Sequence, residues 1–90
     1  MAANAPQLVE ALLMDAFLDG VTVISKKKLL WMLGWTNDKP KAWSGLLAHW
    51  ERMGHEPGDL QGMEVGNRIV LFFADKASLP DIESVSNWAD

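Results

Sequence analysis

Apolar residues in the first twenty positions recur at steps of three and four, and this spacing predicts an amphipathic helix. The helix begins at Pro6, and Gly20 is suited to end it because glycine readily adopts the left-handed conformation that follows a helix. The next five residues, VTVIS, are mostly β-branched and predict a short strand. The buried stripe predicted for the helix consists of Leu8, Leu12, Ala11 or Met14, and Phe17 or Leu18.

Two further helices are predicted between Ser25 and Gly54. The Ser25 hydroxyl can cap the second helix by accepting a hydrogen bond from a first-turn amide, and Gly34 ends that helix. The third helix follows the turn WTND, with Asp38 as its N-cap and Pro40 in its first turn, where a missing amide proton costs little. The predicted buried stripes are Leu29, Leu30 and Leu33 in the second helix, and Trp43, Leu46, Leu47, Trp50 and Met53 in the third.

The segments LQGMEV and RIVLFF predict the two strands of a β-hairpin. They are joined by Gly66 and Asn67, which tolerate positive φ and therefore suit a tight turn. One face of the hairpin is expected to be lined by Val65, Ile69, Leu71 and Phe73.

A single domain is expected from the length and composition. The chain has 90 residues, of which 49% are hydrophobic, and five tryptophans, which is enough for one small core. No repeat or linker divides it, so we predict one domain over residues 1–90, with a core from 7 to 74 and a tail from 75 to 90. In the tail we expect a short helical turn from Asp81, anchored by Trp88.

Several function classes are excluded on composition. The chain has no cysteine, so disulfides and thiolate metal sites are ruled out, and neither histidine has further ligands at a suitable spacing. Asp15 and Asp19 lack a partner acid or base, so we predict a protein that is not an enzyme and carries neither metal nor cofactor. No segment has the length of a membrane-spanning helix and the first residues lack a basic signal region, which predicts a cytoplasmic protein.

Positive charge is concentrated in the middle of the chain. The formal net charge is -4, yet residues 26–52 hold six of the eight basic residues against only Asp38 and Glu51. The residues before position 26 include no cation, and the residues after position 52 are strongly acidic. A local positive potential is what a docking face for a polyanion requires; the alternative is a solvated helix face.

The third helix has an outward face once its apolar stripe is assigned to the core. That face carries Lys41, Gly45, Ala48 and Arg52, and it is cationic at its ends and almost bare in the middle. Ser44 and His49 flank it, and both histidines of the chain are expected at the surface.

The order helix, strand, helix, turn, helix, hairpin resembles that of the winged helix-turn-helix superfamily. The resemblance is carried by KKKLLWMLG, WTNDK, PKAWSGLLAHWERMG and GMEVGNRIVLFF and covers about residues 7–74. It implies an α+β fold with three helices and a β-hairpin wing, in which the third helix enters the major groove and the second crosses the phosphate backbone.

Carried over to this chain, the resemblance implies a small regulator that binds double-stranded DNA, most simply as a homodimer on a two-fold site. The lysines at the start of the second helix would lie near phosphates, and Arg68 would lie near the wing tip. The residues implied for the nucleic-acid interface are Lys26, Lys27, Lys28, Lys39, Lys41, Ser44, Gly45, Ala48, His49, Arg52 and Arg68.

An alternative is a protein-binding module on the same scaffold, such as a phage or mobile-element inhibitor of a host nuclease, polymerase or defence complex, similar to an anti-CRISPR protein. The net charge of -4 and the bare middle of the outward face favour it. Trp43 and Trp50 are expected in the core, whereas Trp31 is either buried or an exposed anchor for a host protein.

Overall fold

Four helices and four strands make up the part of the chain that the computed structural model describes, residues 6–35, 40–73 and 83–89. The predicted α+β class is confirmed. A 3₁₀ turn at Pro57–Asp59 connects the third helix to the hairpin. The elements are α1 (Pro6–Asp19), β1 (Val21–Ser25), α2 (Lys26–Met32), α3 (Pro40–Arg52), β2 (Leu60–Val65), β3 (Arg68–Phe73), β4 (Glu83–Ser84) and α4 (Val85–Trp88).

The strands form one antiparallel sheet in the order β1-β3-β2-β4. The predicted hairpin of β2 and β3 is confirmed, with Val65 opposite Arg68 and only Gly66 and Asn67 between them. Gly66 has a φ of 60°, which glycine adopts without the steric cost that a side chain would add. Because the turn has two residues, Glu64 shares the inner face with Ile69, and Val65 is directed away from the core. The prediction that Val65 lines the inner face is therefore wrong, and Val65 is 52% exposed.

The core forms between the helices and one face of the sheet. Trp50 is fully buried at its centre, and its indole N–H donates to the Glu56 carbonyl at 2.7 Å. The predicted core positions of Trp43 and Trp50 are confirmed. The fully buried apolar side chains around Trp50 include Val9, Leu13, Leu29, Leu46, Leu60, Ile69, Leu71 and Val85.

The buried side of α1 differs from the predicted stripe. Val9, Leu13 and Ala16 are fully buried, whereas Leu8, Met14 and Leu18 are exposed. Leu12 and Phe17 are only partly buried. The reason lies in the composition of α1, which is apolar around most of its circumference, so its sequence period does not single out one side.

Residues 83–89 of the tail belong to the fold. β4 pairs with β2, and Ser84 caps α4 by accepting from the Ser86 amide at 3.3 Å. The helical turn therefore starts at Val85, whereas Asp81 lies outside the described residues. Trp88 anchors the turn as predicted, with its ring edge-on to Trp43 at a centroid distance of 5.3 Å.

Candidate nucleic-acid interface

The outward face of α3 is the feature that the sequence predicts best. The helix buries Trp43, Leu46, Leu47 and Trp50, and Gly45 is half-buried. Because the apolar residues share one side, the other side presents cationic, small and polar groups over three turns. The exposed residues of this face are Lys41, Ser44, Ala48, Glu51 and Arg52.

His49 does not belong to this face, and its predicted surface position is wrong. Its side chain is 8% exposed, since it lies on the side of α3 that is turned to α1. Burial and the neighbouring Arg52 guanidinium lower the pKa of His49, while Glu10 opposes them. Arg52 Nη2 lies 2.8 Å from His49 Nδ1. Arginine can only donate, so Nδ1 accepts, and the neutral imidazole helps to hold Arg52 at the edge of the outward face.

His55 is also less exposed than predicted. Its ring stacks between Phe17 and Trp50, with centroid distances of 4.4 Å and 4.2 Å, and it is half-buried. It closes the aromatic cluster beneath the end of α3 and contributes nothing to the outward face.

The start of α2 and the hairpin tip form one continuous unit. Ser25 caps α2 as predicted, accepting from the Lys28 amide at 3.1 Å. The Lys26 amide donates to the Asn67 carbonyl at 2.8 Å, and the Lys26 ammonium forms an ion pair with Glu64. The amides of Lys26 and Lys28 are therefore occupied within the protein, and the charge of Lys26 is shared with Glu64.

Three cations of this unit remain exposed. They are Lys27 and Lys28 on α2 and Arg68 at the start of β3, where the sheet register places it opposite Ser25. The ion pair with Lys26 also compensates Glu64, which would otherwise repel a phosphate beside Arg68. Lys39 falls outside the described residues.

A second surface lies between α1 and α2, and the sequence reasoning missed it. It is a groove of about 270 Å³, which we call the α1–α2 groove. Among the described residues, the charged ones that line it are Asp15 and Lys28. The described lining consists of Leu8, Ala11, Leu12, Asp15, Ile24, Lys28 and Met32. The sequence signal that could have located it is the spread of apolar residues around α1, which leaves no single buried stripe.

Trp31 lies one turn after Lys28 on α2 and is 47% exposed. The question that the sequence left open is thereby settled, because Trp31 is not a core residue. An exposed indole is suited to anchoring a protein partner.

A further cavity of about 300 Å³ lies between α3, the hairpin and α4. Its lining combines two tryptophan rings with the Glu64 carboxylate, which is already paired with Lys26. Across residues 6–35, 40–73 and 83–89, no group of three or more histidine, aspartate or glutamate side chains could hold a metal ion.

Comparisons of the chain with protein-family profiles, curated proteins and solved structures gave no match. Within the described ranges, no helix combines the length and apolar character needed to cross a bilayer, α1 being the longest with 14 residues. Three surfaces of the described residues are therefore candidates for function: the outward face of α3, the unit of α2 and the hairpin tip, and the α1–α2 groove.

Proposed function

We propose that the protein is a winged-helix domain that binds double-stranded DNA, with α3 in the major groove and the hairpin of β2 and β3 as the wing. The support for the fold is topological. The elements α1, β1, α2 and α3 precede the hairpin of β2 and β3. In the sheet, β3 lies between β1 and β2 and pairs with both. In this arrangement the second and third helices form the helix-turn-helix, and the hairpin lies beside them.

The observation that carries the proposal is the outward face of α3. The exposed side chains of this face include no large apolar residue. Six other residues of α3 are buried in the core. Lys41 stands near its beginning and Arg52 at its end, which suits contact with phosphates on both sides of a groove. Ser44 and Ala48 lie between them and allow close approach of the helix to base edges.

The charge distribution supports the same orientation. The five exposed cations of the described ranges lie on α2, on α3 and at the hairpin tip, and none lies on α1. In contrast, α1 carries only the acidic Glu10, Asp15 and Asp19. A polyanion is therefore attracted by one part of the surface and repelled by another, even though the net charge is -4.

Binding should depend steeply on salt. If the four exposed cations that lie outside the α1–α2 groove contact phosphates, the logarithm of the association constant falls by about 3 to 4 for each tenfold increase in salt, since each contact contributes about 0.9. We expect Lys41→Ala and Arg52→Ala each to reduce this slope by about 1. Fluorescence anisotropy of a labelled duplex over a salt series measures the slope directly.

Two variants with the same change of net charge test whether the location of the charge matters. Glu51→Lys adds a cation to the outward face of α3 and should tighten binding, whereas Asp19→Lys on α1 should have a much smaller effect. Equal gains in both variants, or a salt slope near zero for the unmodified protein, would refute the proposed interface.

The second candidate function is capture of a host protein, and the exposed Trp31 favours it. In this case Trp31→Ala should abolish capture of the partner in a pull-down, while the charge variants of α3 leave capture unchanged. The same Trp31 substitution should leave the salt slope for DNA unchanged, so the two candidates give opposite results.

A further inference from the structure

The outward side of α1 carries four apolar residues that face solvent beside the charged Asp15 and Asp19. Leu8 is 51% exposed, Met14 44% and Leu18 61%, and Ala11 between them is exposed as well. The opposite side of α1 is fully buried in the core through Val9, Leu13 and Ala16. A helix that is apolar around most of its circumference is normally covered on all sides, so this side has the character of an interface.

The charged residues near this side differ in sign between the two helices, with acids on α1 and lysines on α2. The α1–α2 groove carries Asp15 on its α1 wall and Lys28 on its α2 wall. Beyond the groove, α1 bears only acidic charges and the first turn of α2 only lysines. The groove of about 270 Å³ can receive side chains of another protein.

We infer that a second copy of this chain occupies the surface, in a two-fold dimer in which α1 of each protomer lies along the α1–α2 groove of its partner. A two-fold interface uses the same patch twice, so the patch must complement itself. This patch does so because it holds apolar side chains together with one charge of each sign. In the dimer, Asp15 of each protomer faces Lys28 of the other, and the apolar side of α1 is covered.

Other occupants complement the surface less well. DNA is repelled by the acidic α1, and a protein of one charge sign leaves either Asp15 or Lys28 facing a like charge. The outward face of α3 does not line the groove, so both copies keep it accessible. The dimer goes beyond the proposed DNA binding, and its test requires no DNA. The proposal of a dimer and the proposal of DNA binding can therefore fail independently of each other.

The experiment is sedimentation equilibrium of the full chain over micromolar to submillimolar concentrations. The unmodified protein should shift from monomer to dimer as its concentration rises. Asp15→Lys and Lys28→Glu should each weaken self-association by about tenfold or more, because each places like charges opposite one another in both halves of the dimer. Leu8→Ser should weaken it as well, through loss of apolar contact.

Mixing the two charge variants provides the decisive step. A heterodimer of the Asp15→Lys and Lys28→Glu chains restores opposite charges at both contacts, so the mixture should dimerise about as tightly as the unmodified protein. A contact within one chain cannot produce this recovery. The matched control is Glu56→Lys, which makes the same charge change as Asp15→Lys on an exposed loop and should leave dimerisation unchanged.

Circular dichroism of each variant shows whether its fold is intact. The inference is overturned if the unmodified protein stays monomeric over the whole range, if the folded single variants dimerise as tightly as it does, or if their mixture remains monomeric.

Discussion

A methyl group at Gly62 should disturb the docking of the C-terminal turn. Gly62 lies in β2, and a Cβ there would stand 2.8 Å from Cη2 and 3.2 Å from Cζ3 of the Trp88 ring, and 3.1 Å from the Val70 carbonyl oxygen. Non-bonded carbon atoms are at their optimum at about 3.5–4.0 Å, so the overlap with Trp88 is about 0.7 Å or more. The position of the ring is also restrained by its packing against the Trp43 ring, at a centroid distance of 5.3 Å.

The expected cost follows from two opposing effects. Forcing an extra methyl into a packed site costs about 1–3 kcal/mol. Replacing a strand glycine recovers about 0.5–1 kcal/mol, because alanine loses less conformational freedom on folding. Gly62→Ala should therefore lower the free energy of unfolding by about 1 kcal/mol, within a range of about 0 to 2.5 kcal/mol, and for a domain of this size each kcal/mol lowers the Tm by roughly 4–8 °C.

The assay is urea denaturation followed by far-ultraviolet circular dichroism, which does not depend on the number of tryptophans. Trp88→Ala alone should cost less than the about 3–5 kcal/mol typical of a buried aromatic residue, since Trp88 is only partly buried. In the Trp88→Ala background the overlap with the ring is gone and only the approach to the Val70 carbonyl oxygen remains, so adding Gly62→Ala should cost clearly less than it does in the unmodified protein. An equal cost of Gly62→Ala in both backgrounds would show that Trp88 is not the neighbour that resists the methyl group.

Two further predictions concern single side chains. Burial and Arg52 lower the pKa of His49 in the folded protein below its ordinary value of 6.5. As the pH falls, His49 is therefore protonated in the unfolded chain at a higher pH than in the folded one. The free energy of unfolding should decrease below about pH 6.5, by at most about 1.4 kcal/mol per pH unit from this residue, and chemical denaturation of His49→Gln should show a flatter profile. Ser25→Ala removes the cap on the Lys28 amide and should cost about 0.5–2 kcal/mol, whereas Ser25→Asp should retain stability; equal thermal melting of both variants would contradict this role.

The sequence predicts most of the fold because local signals agree with tertiary structure there. Ser25 caps α2 with the expected bond, and Gly66 and Asn67 close the hairpin in a two-residue turn. The side of α3 that faces the core is predictable for a different reason. Its tryptophans and leucines occupy one side and its charged residues the other, so only one orientation in the core avoids burying a charge.

The remaining features depend on contacts between segments that are distant in sequence. His49 follows the buried Ala42 and Leu46 at a helical spacing, but its polar ring gives no hydrophobic signal, so its burial becomes evident only from its low exposure and its bond with Arg52. Residues 83–89 have only a weak helical pattern in the sequence, since α4 is a single turn. The pairing of β4 with β2 and the contact of Trp88 with Trp43 hold these residues against the domain.

The exposed side of α1 shows where a pattern can fail for a functional reason. A helix with one buried side and a polar opposite side has an identifiable stripe, but α1 offers apolar residues on both sides, so its period fits several orientations equally well. If a partner covers the second side, the lack of a clear stripe is a consequence of function, since the sequence then encodes two buried surfaces on one helix. The error in predicting Leu8 and Met14 as core residues and the inferred dimer thus have the same physical origin.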